Sequence, residues 1–142
     1  MVERTIWRVG HGRSLDLTEH GAIMAIINVT PDSFSDGGLH AGVETAVAHA
    51  LACAQDGAVI LDIGGESTRP GAAEVSPDEE MARVLPVIGA LREKTDALIS
   101  IDTYRAATAR AAVEAGAHII NDVHGLQREP EIADVAAAAG AG

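Results

Sequence analysis

The sequence predicts an α/β fold with a parallel sheet, built from four strand–helix units in succession. Three observations predict it. Four short runs rich in Ile, Val and Leu show little alternation, as strands covered on both faces do. Segments with apolar steps of three and four residues separate these runs. Each run ends in a polar residue and opens into a polar or Gly-rich loop, which is the repeat of a strand–loop–helix chain.

The stretch from Ile6 to Leu17 contains Gly10, Gly12 and alternating residues, and reads as a β-hairpin that covers the bottom of the sheet. The first strand is Ile23-Met24-Ala25-Ile26-Ile27, ending at Asn28. Val43, Ala46, Val47, Ala50, Leu51 and Ala54 then form one helical face. The second strand is Ala58-Val59-Ile60-Leu61, ending at Asp62, and the second helix carries Met81, Val84, Leu85, Ile88 and Leu91 on one side. That helix has a marked start: Ser76 as cap, Pro77 at the first position and Glu79 to complete a capping box. The third strand, Ala97 to Ile101, ends at Asp102, and a helix follows from Tyr104 to Ala115 with Gly116 as its stop. The fourth strand, His118 to Ile120, ends at Asn121 and Asp122, and a last helix runs from Pro130 to Ala139 before Gly140.

Local patterning suits both a doubly wound sheet and part of a (β/α)8 barrel. The polar residues favour the barrel, because all four predicted strands end in Asn or Asp, and barrel chemistry gathers at the C-terminal ends of several strands. An open sheet concentrates such residues near one switch point. A barrel of this kind takes about 250 residues. The 142 residues therefore read as one incomplete domain, the N-terminal half of a (β/α)8 barrel. Open sheet edges invite pairing with another chain, so association or poor folding is expected of the chain by itself.

Composition narrows the function. Twenty-one acidic and ten basic residues give a net charge of −11, which argues against a nucleic-acid surface or an anionic membrane patch. A small anionic substrate is compatible with it. No run nears the roughly 18 apolar residues that span a bilayer, and Met1 to Arg8 has no signal-peptide pattern. The single cysteine, Cys53, lies in an apolar helical pattern and reads as a small buried residue in a reducing, cytoplasmic setting. The six histidines show no compact metal-ligand spacing. Asp and Glu on the helices read as solvated faces.

Four motifs carry the chemistry. Asn28-Val29-Thr30-Pro31-Asp32-Ser33-Phe34-Ser35-Asp36-Gly37-Gly38 is a long polar loop with one aromatic at the end of the first strand, where long loops are usually functional. Asp62-Ile63-Gly64-Gly65-Glu66-Ser67-Thr68-Arg69-Pro70-Gly71 combines tight backbone geometry with hydroxyls and a guanidinium suited to a carboxylate or phosphate. Ser100-Ile101-Asp102-Thr103-Tyr104 and Ile119-Ile120-Asn121-Asp122-Val123-His124-Gly125 place an Asp and an Asn at the ends of strands three and four. Strand alternation puts Ile26 with Asn28, Ser100 with Asp102, and Ile119 with Asn121 on one side. Asp122 faces the other way and reads as structural.

The first motif, from Ile26 to Gly38, resembles the first signature of the dihydropteroate synthases, and the stretch from Asp62 to Gly71 resembles the second. Asp102-Thr103 and Asn121-Asp122-Val123 follow in the family's order, and the likeness runs from about Ile23 to Gly140. Ala25 stands where the family often has Gly. The resemblance implies a (β/α)8 (TIM) barrel and an enzyme of folate biosynthesis, a sulfonamide target. Such an enzyme joins (7,8-dihydropterin-6-yl)methyl diphosphate to 4-aminobenzoate, giving 7,8-dihydropteroate and diphosphate. It implies Asn28 as a ligand of Mg²⁺, and Asp102 and Asn121 as pterin-binding residues. It also assigns Pro31, Phe34 and Asp36 to the first catalytic loop, which closes over the reacting groups. Ser67, Thr68 and Arg69 fall in the loop that shapes the 4-aminobenzoate pocket. The family's essential Lys and a basic Arg/His cluster belong to later strands, so this chain is expected to be the pterin-and-metal side of a homodimeric enzyme, inactive alone. Two alternatives are a non-catalytic half-length pterin-binding fragment and the pterin-binding domain of a corrinoid methyltransferase.

These roles suit the residue types. A pterin edge presents N–H donors beside acceptors; a carboxylate accepts, and an amide does both. One amide is a poor Mg²⁺ site unless substrate phosphates supply further ligands. The attacking group is the substrate's own amine, so no side-chain nucleophile is required.

Overall fold

A computed structural model describes residues 2–30 and 38–142. Of the predicted site residues, Pro31, Phe34 and Asp36 lie outside that range.

The chain opens with the expected hairpin. Strands β1 (Ile6–Arg8) and β2 (Ser14–Asp16) pair antiparallel, with Trp7 opposite Leu15. The turn between them is made by His11 and Gly12 in left-handed conformation. Val9 then packs against Ile60, Leu98 and Ile119, and Gly10 N–H donates to the His118 carbonyl at 2.9 Å. Those partners sit at the N-terminal ends of strands, so the hairpin closes the bottom of the sheet.

Four strand–helix units follow: β3 (Met24–Asn28) and α1 (Gly38–Gln55), β4 (Ile60–Gly64) and α2 (Pro77–Lys94), β5 (Leu98–Asp102) and α3 (Ala106–Ala115), β6 (Ile119–Asn121) and α4 (Ile132–Ala139). The sheet is wholly parallel, in the order β3-β4-β5-β6. Spatial order follows chain order without reversal. A barrel winds this way, whereas a doubly wound sheet reverses at a switch point. Ile27, Leu61, Ile63, Ile99 and Ile101 point to the helices, where they bury against Ala46, Val47, Ala50, Val84, Ile88, Leu91 and Ala112. Removing this apolar surface from water, at about 25 cal/mol per Å², drives the assembly. The opposite face of the sheet carries the site.

Register stacks that face in layers. Met24, Ile60 and Leu98 lie level, then Ile26, Asp62, Ser100 and Ile119, then Asn28, Gly64, Asp102 and Asn121. Three strands end in Asn or Asp as predicted. The fourth does not: β4 continues two residues past Asp62 to Gly64, so Asp62 lies one layer deeper than the rim. The strands β4 and β5 are covered on both faces, but on β3 Met24 and Ile26 are 44% and 62% exposed.

Two helix starts also differ from the sequence expectation. Tyr104 and Arg105 precede α3, because Arg105 is extended, its N–H donates to Thr103 Oγ1 at 3.1 Å, and its guanidinium is drawn into a carboxylate cluster. The Glu129 carboxylate caps α3 instead, accepting from Ala106 N–H at 2.7 Å. Before α4, residues 129–131 form a tight turn of i→i+3 bonds rather than α-helix. Ser76 caps α2 as expected, accepting from Glu79 N–H at 3.2 Å. The reciprocal half of the box is replaced: Glu79 Oε1 accepts from Arg83 at 2.6 Å.

Candidate functional site

At the C-terminal rim a cavity of about 430 Å³ is lined by Asn28, Thr30, Asp62, Glu66, Ser67, Thr68, Arg69, Asp102 and Asn121, with Met24, Ile26 and Val123 as its apolar wall. It unites every predicted site residue in the described range. Asn28, Asp102 and Asn121 arrive from the last positions of β3, β5 and β6. Ser67, Thr68 and Arg69 come from the loop between β4 and α2, with Ser67 half-buried and Thr68 and Arg69 exposed. Ser67 Oγ accepts from Arg69 N–H at 3.3 Å, which curls the loop tip.

The floor is Asp62, 2% exposed. Its Oδ2 accepts from Asn121 Nδ2 at 3.1 Å. Its Oδ1 and the hydroxyl of Ser100 are buried without a hydrogen-bond partner among the described residues. Burial raises the Asp62 carboxyl above the usual range, and the neighbouring Ser100 hydroxyl and the Asn121 amide hold part of that rise back. Ser100 thus lies beside the carboxylate without reaching bonding geometry. Buried polar atoms left unpaired are rare, and those lining a cleft set its polar character.

Asp102 stands one layer higher. Burial pushes its carboxyl up to about 6, and the charges of Asp62, Glu80 and Asp122 add to the rise. Gly64 makes room for it: a Cβ there would come within 3.4 Å of Asp102 Oδ2. Perturbed carboxyls in a cleft are a mark of functional sites. Asp122 follows the end of β6 outside the cavity lining and orders the next loop by accepting from His124 and Leu126 N–H at 2.9 and 2.8 Å.

Around this cavity runs an ionic network that local patterning did not show. Glu80, read as part of a solvated helix face, is 1% exposed. It accepts from Thr103 Oγ1 at 2.5 Å and from Arg105 Nη1. Arg105 Nη1 also donates to Glu66 at 2.8 Å, and the phenol of Tyr104 donates to Glu66 at 2.8 Å. Burial opposes the Arg105 charge, but Glu80 and Glu66 outweigh it and raise its pKa further. One signal was available: Glu80, Val84, Ile88 and Leu91 share a single helical stripe, and that stripe is buried.

Cys53 is partly buried, packed on the main core. Among the described residues no helix is long and apolar enough to cross a membrane.

A family model described as pterin binding enzyme matches residues 24–142. The chain is 53% identical over 124 residues to a dihydropteroate synthase of Bacillus subtilis, covering 87% of this chain and 44% of that protein. It is 51% identical over 129 residues to the dihydropteroate synthase of Escherichia coli K12, covering 91% and 45%. A Xanthomonas albilineans dihydropteroate synthase solved with 4-aminobenzoic acid superposes with a TM-score of 0.87 at 51% identity, over 96% of this chain and 50% of that one. The same organism's enzyme in complex with 7,8-dihydropteroate gives 0.79 at 48% identity, over 92% and 47%. The chain thus spans about half the length of the relatives it matches. With half of a parallel barrel wound in chain order and a rim cavity built from Asn28, Asp62, Asp102 and Asn121, it belongs to the family of pterin-binding enzymes.

Proposed function

We propose that this chain forms the pterin-binding side of a dihydropteroate synthase. In the reaction, the amine of 4-aminobenzoate attacks the methylene carbon of (7,8-dihydropterin-6-yl)methyl diphosphate. A C–N bond forms, the C–O bond to diphosphate breaks with its electron pair on the departing oxygen, and the amine releases a proton. The observation that carries the reading is the convergence of Asp62, Asp102 and Asn121 on one cavity, with Thr68 and Arg69 at its mouth.

The chemistry follows from the geometry. Asn121 gives one N–H to Asp62, so its orientation is fixed, and its carbonyl oxygen and second N–H remain for a ring edge. Asp102, ionised above about pH 6, accepts from pterin N–H groups. A site of buried, matched polar groups rejects analogues that leave them unpaired. Arg69 and the hydroxyl of Thr68 offer a fork and a donor to the carboxylate of 4-aminobenzoate. Ser67 supports them by fixing the Arg69 backbone. Pro31, Phe34 and Asp36 complete the reading as the loop that closes over the reacting carbon.

Mg²⁺ fits as a partner of the diphosphate. Asn28 offers one amide oxygen at the end of β3, a single hard ligand of the kind Mg²⁺ accepts alongside phosphate oxygens and water. Bound there with substrate, it would neutralise charge on the leaving group. A reducing, cytoplasmic setting accords with the one free thiol, and the homodimer of the family belongs to the same reading. It is tested by calorimetry with the dihydropterin diphosphate. Binding that is stronger with Mg²⁺, and stronger for Asn28 than for Asn28→Ala, supports it; no binding by the chain defeats it.

A further inference from the structure

We propose that Arg105 and Tyr104 are positioning residues that clamp the loop of residues 65–76, presenting Thr68 and Arg69 to the cavity and so setting affinity for the carboxylate-bearing second substrate. The identity of that substrate rests on the reading above; the clamp itself rests on geometry alone.

The loop between β4 and α2 has no regular structure, so ordering it costs conformational entropy that specific contacts must offset. Its contacts concentrate near its two ends. At the start, Arg83 Nη1 donates to the Gly65 carbonyl at 2.8 Å, and a Cβ on Gly65 would crowd Val84 Cγ1 at 2.9 Å and the Glu80 carbonyl at 3.2 Å. Glu66, the next residue, takes Arg105 Nη1 at 2.8 Å and the Tyr104 phenol at 2.8 Å. At the far end, Arg105 Nη2 donates to the Val75 carbonyl at 2.6 Å, and the Tyr104 hydroxyl lies 3.1 Å from Glu74 Oε1. The span that carries Ser67, Thr68 and Arg69 hangs between these two anchorages.

One guanidinium joins them. Arg105 reaches Glu66 and Glu80 through Nη1, and Val75 and the Tyr104 oxygen, at 2.7 Å, through Nη2. Only a planar fork with several donors makes all four bonds together; an ammonium does not. The side chain is 8% exposed, and its partners Glu66 and Glu80 are 14% and 2% exposed. The clamp is therefore shielded from solvent and little screened by salt. The guanidinium groups of Arg105 and Arg128 lie over the Tyr104 ring, 4.5 and 4.0 Å from its centre. The Tyr104 hydroxyl lies 2.8 Å from Glu66 Oε1 and 3.1 Å from Glu74 Oε1, so the phenol reaches both ends of the loop. Glu66 also lines the cavity, which makes the clamp continuous with the site.

The test uses the full chain and two mild variants, Tyr104→Phe and Arg105→Lys, since truncating Arg105 would strand Glu80. Amide hydrogen exchange is followed by mass spectrometry. Calorimetry gives affinity for the dihydropterin diphosphate alone and for 4-aminobenzoate in its presence. Each variant removes at least one bond to a charged group, which predicts at least about tenfold faster exchange at residues 66–75, with β5 and α3 unchanged. The same loss also predicts about tenfold weaker 4-aminobenzoate binding, with pterin affinity held within about twofold. Unchanged exchange at 66–75, or acceleration spread evenly over the chain, would overturn the clamp. So would full retention of loop protection in Arg105→Lys. If the unmodified chain binds neither ligand while loop exchange responds as predicted, the functional reading falls and the clamp stands.

Discussion

Asn121 Nδ2 donates to Asp62 Oδ2 at 3.1 Å although the strands that carry them are not neighbours. The bond passes over β5, above the level of Ser100, and ties β4 to β6 across the floor of the cavity. It also compensates an almost wholly buried carboxylate. Asn121→Ala would leave Asp62 without its one hydrogen-bond partner among the described residues. The expected cost is about 1–3 kcal/mol of stability, the usual result of stranding a buried polar group. Urea unfolding of the variant should show a lower midpoint with the same slope. An unchanged midpoint would mean that the bond carries no net weight.

Asp102 is expected to matter for affinity more than for folding. Asp102→Asn keeps the shape and removes the charged acceptor, and should weaken pterin binding by roughly 1–3 kcal/mol. Calorimetry on both forms measures it; equal dissociation constants would remove Asp102 from the recognition scheme. The pH dependence should agree. With its carboxyl near 6, Asp102 protonates as pH falls below that value, so pterin affinity should drop there in the parent chain and stay flatter in the variant.

Two groups are expected to pull stability in opposite directions between about pH 4 and 6. Asp102 is raised from 3.8 to about 6 by burial and by neighbouring carboxylates. Its contribution is full below the unfolded value and is lost as pH rises through 6. His118 is lowered from 6.5 to about 4, first by burial and then by the charges of Arg13 and His11, while its Nδ1 accepts from Ile99 N–H at 3.0 Å. Its contribution is full above the unfolded value and is lost as pH falls through 4. Asp102→Asn should therefore make acidification more damaging, and His118→Gln less. Denaturant unfolding from pH 7 to 4 compares the three chains; parallel profiles would contradict both assignments.

Gly65→Ala should loosen the loop that bears Thr68 and Arg69. The added Cβ would lie 2.9 Å from Val84 Cγ1 and 3.2 Å from the Glu80 carbonyl, which is backbone and cannot swing aside. Overpacking of this kind costs about 1–3 kcal/mol. A thermal melt identical to that of the parent would show that α2 yields more easily than its packing implies.

Much of this arrangement was legible because it is local. Apolar runs marked the strands, Ser76 and Pro77 marked the start of α2, and alternation sorted Asn121 into the cavity and Asp122 out of it. Asp62 misled, since a charged residue after Val59-Ile60-Leu61 looks like the end of a strand. It continues because Asn121, on a strand two places away, compensates it, and Gly64 then ends the strand with no side chain to mark the place. Tyr104 and Arg105 looked like the first turn of α3 for a similar reason. What pulls them out is Glu66 and Glu80, more than twenty residues distant in sequence, and no local periodicity contains that pairing.

The role of the rim cavity turns on where a pterin sits. A crystal structure of the chain soaked with 7,8-dihydropterin should show the ring in the rim cavity, its edge paired with Asp102 and Asn121 above Asp62. A ring bound elsewhere, or bound there without those side chains, would contradict it.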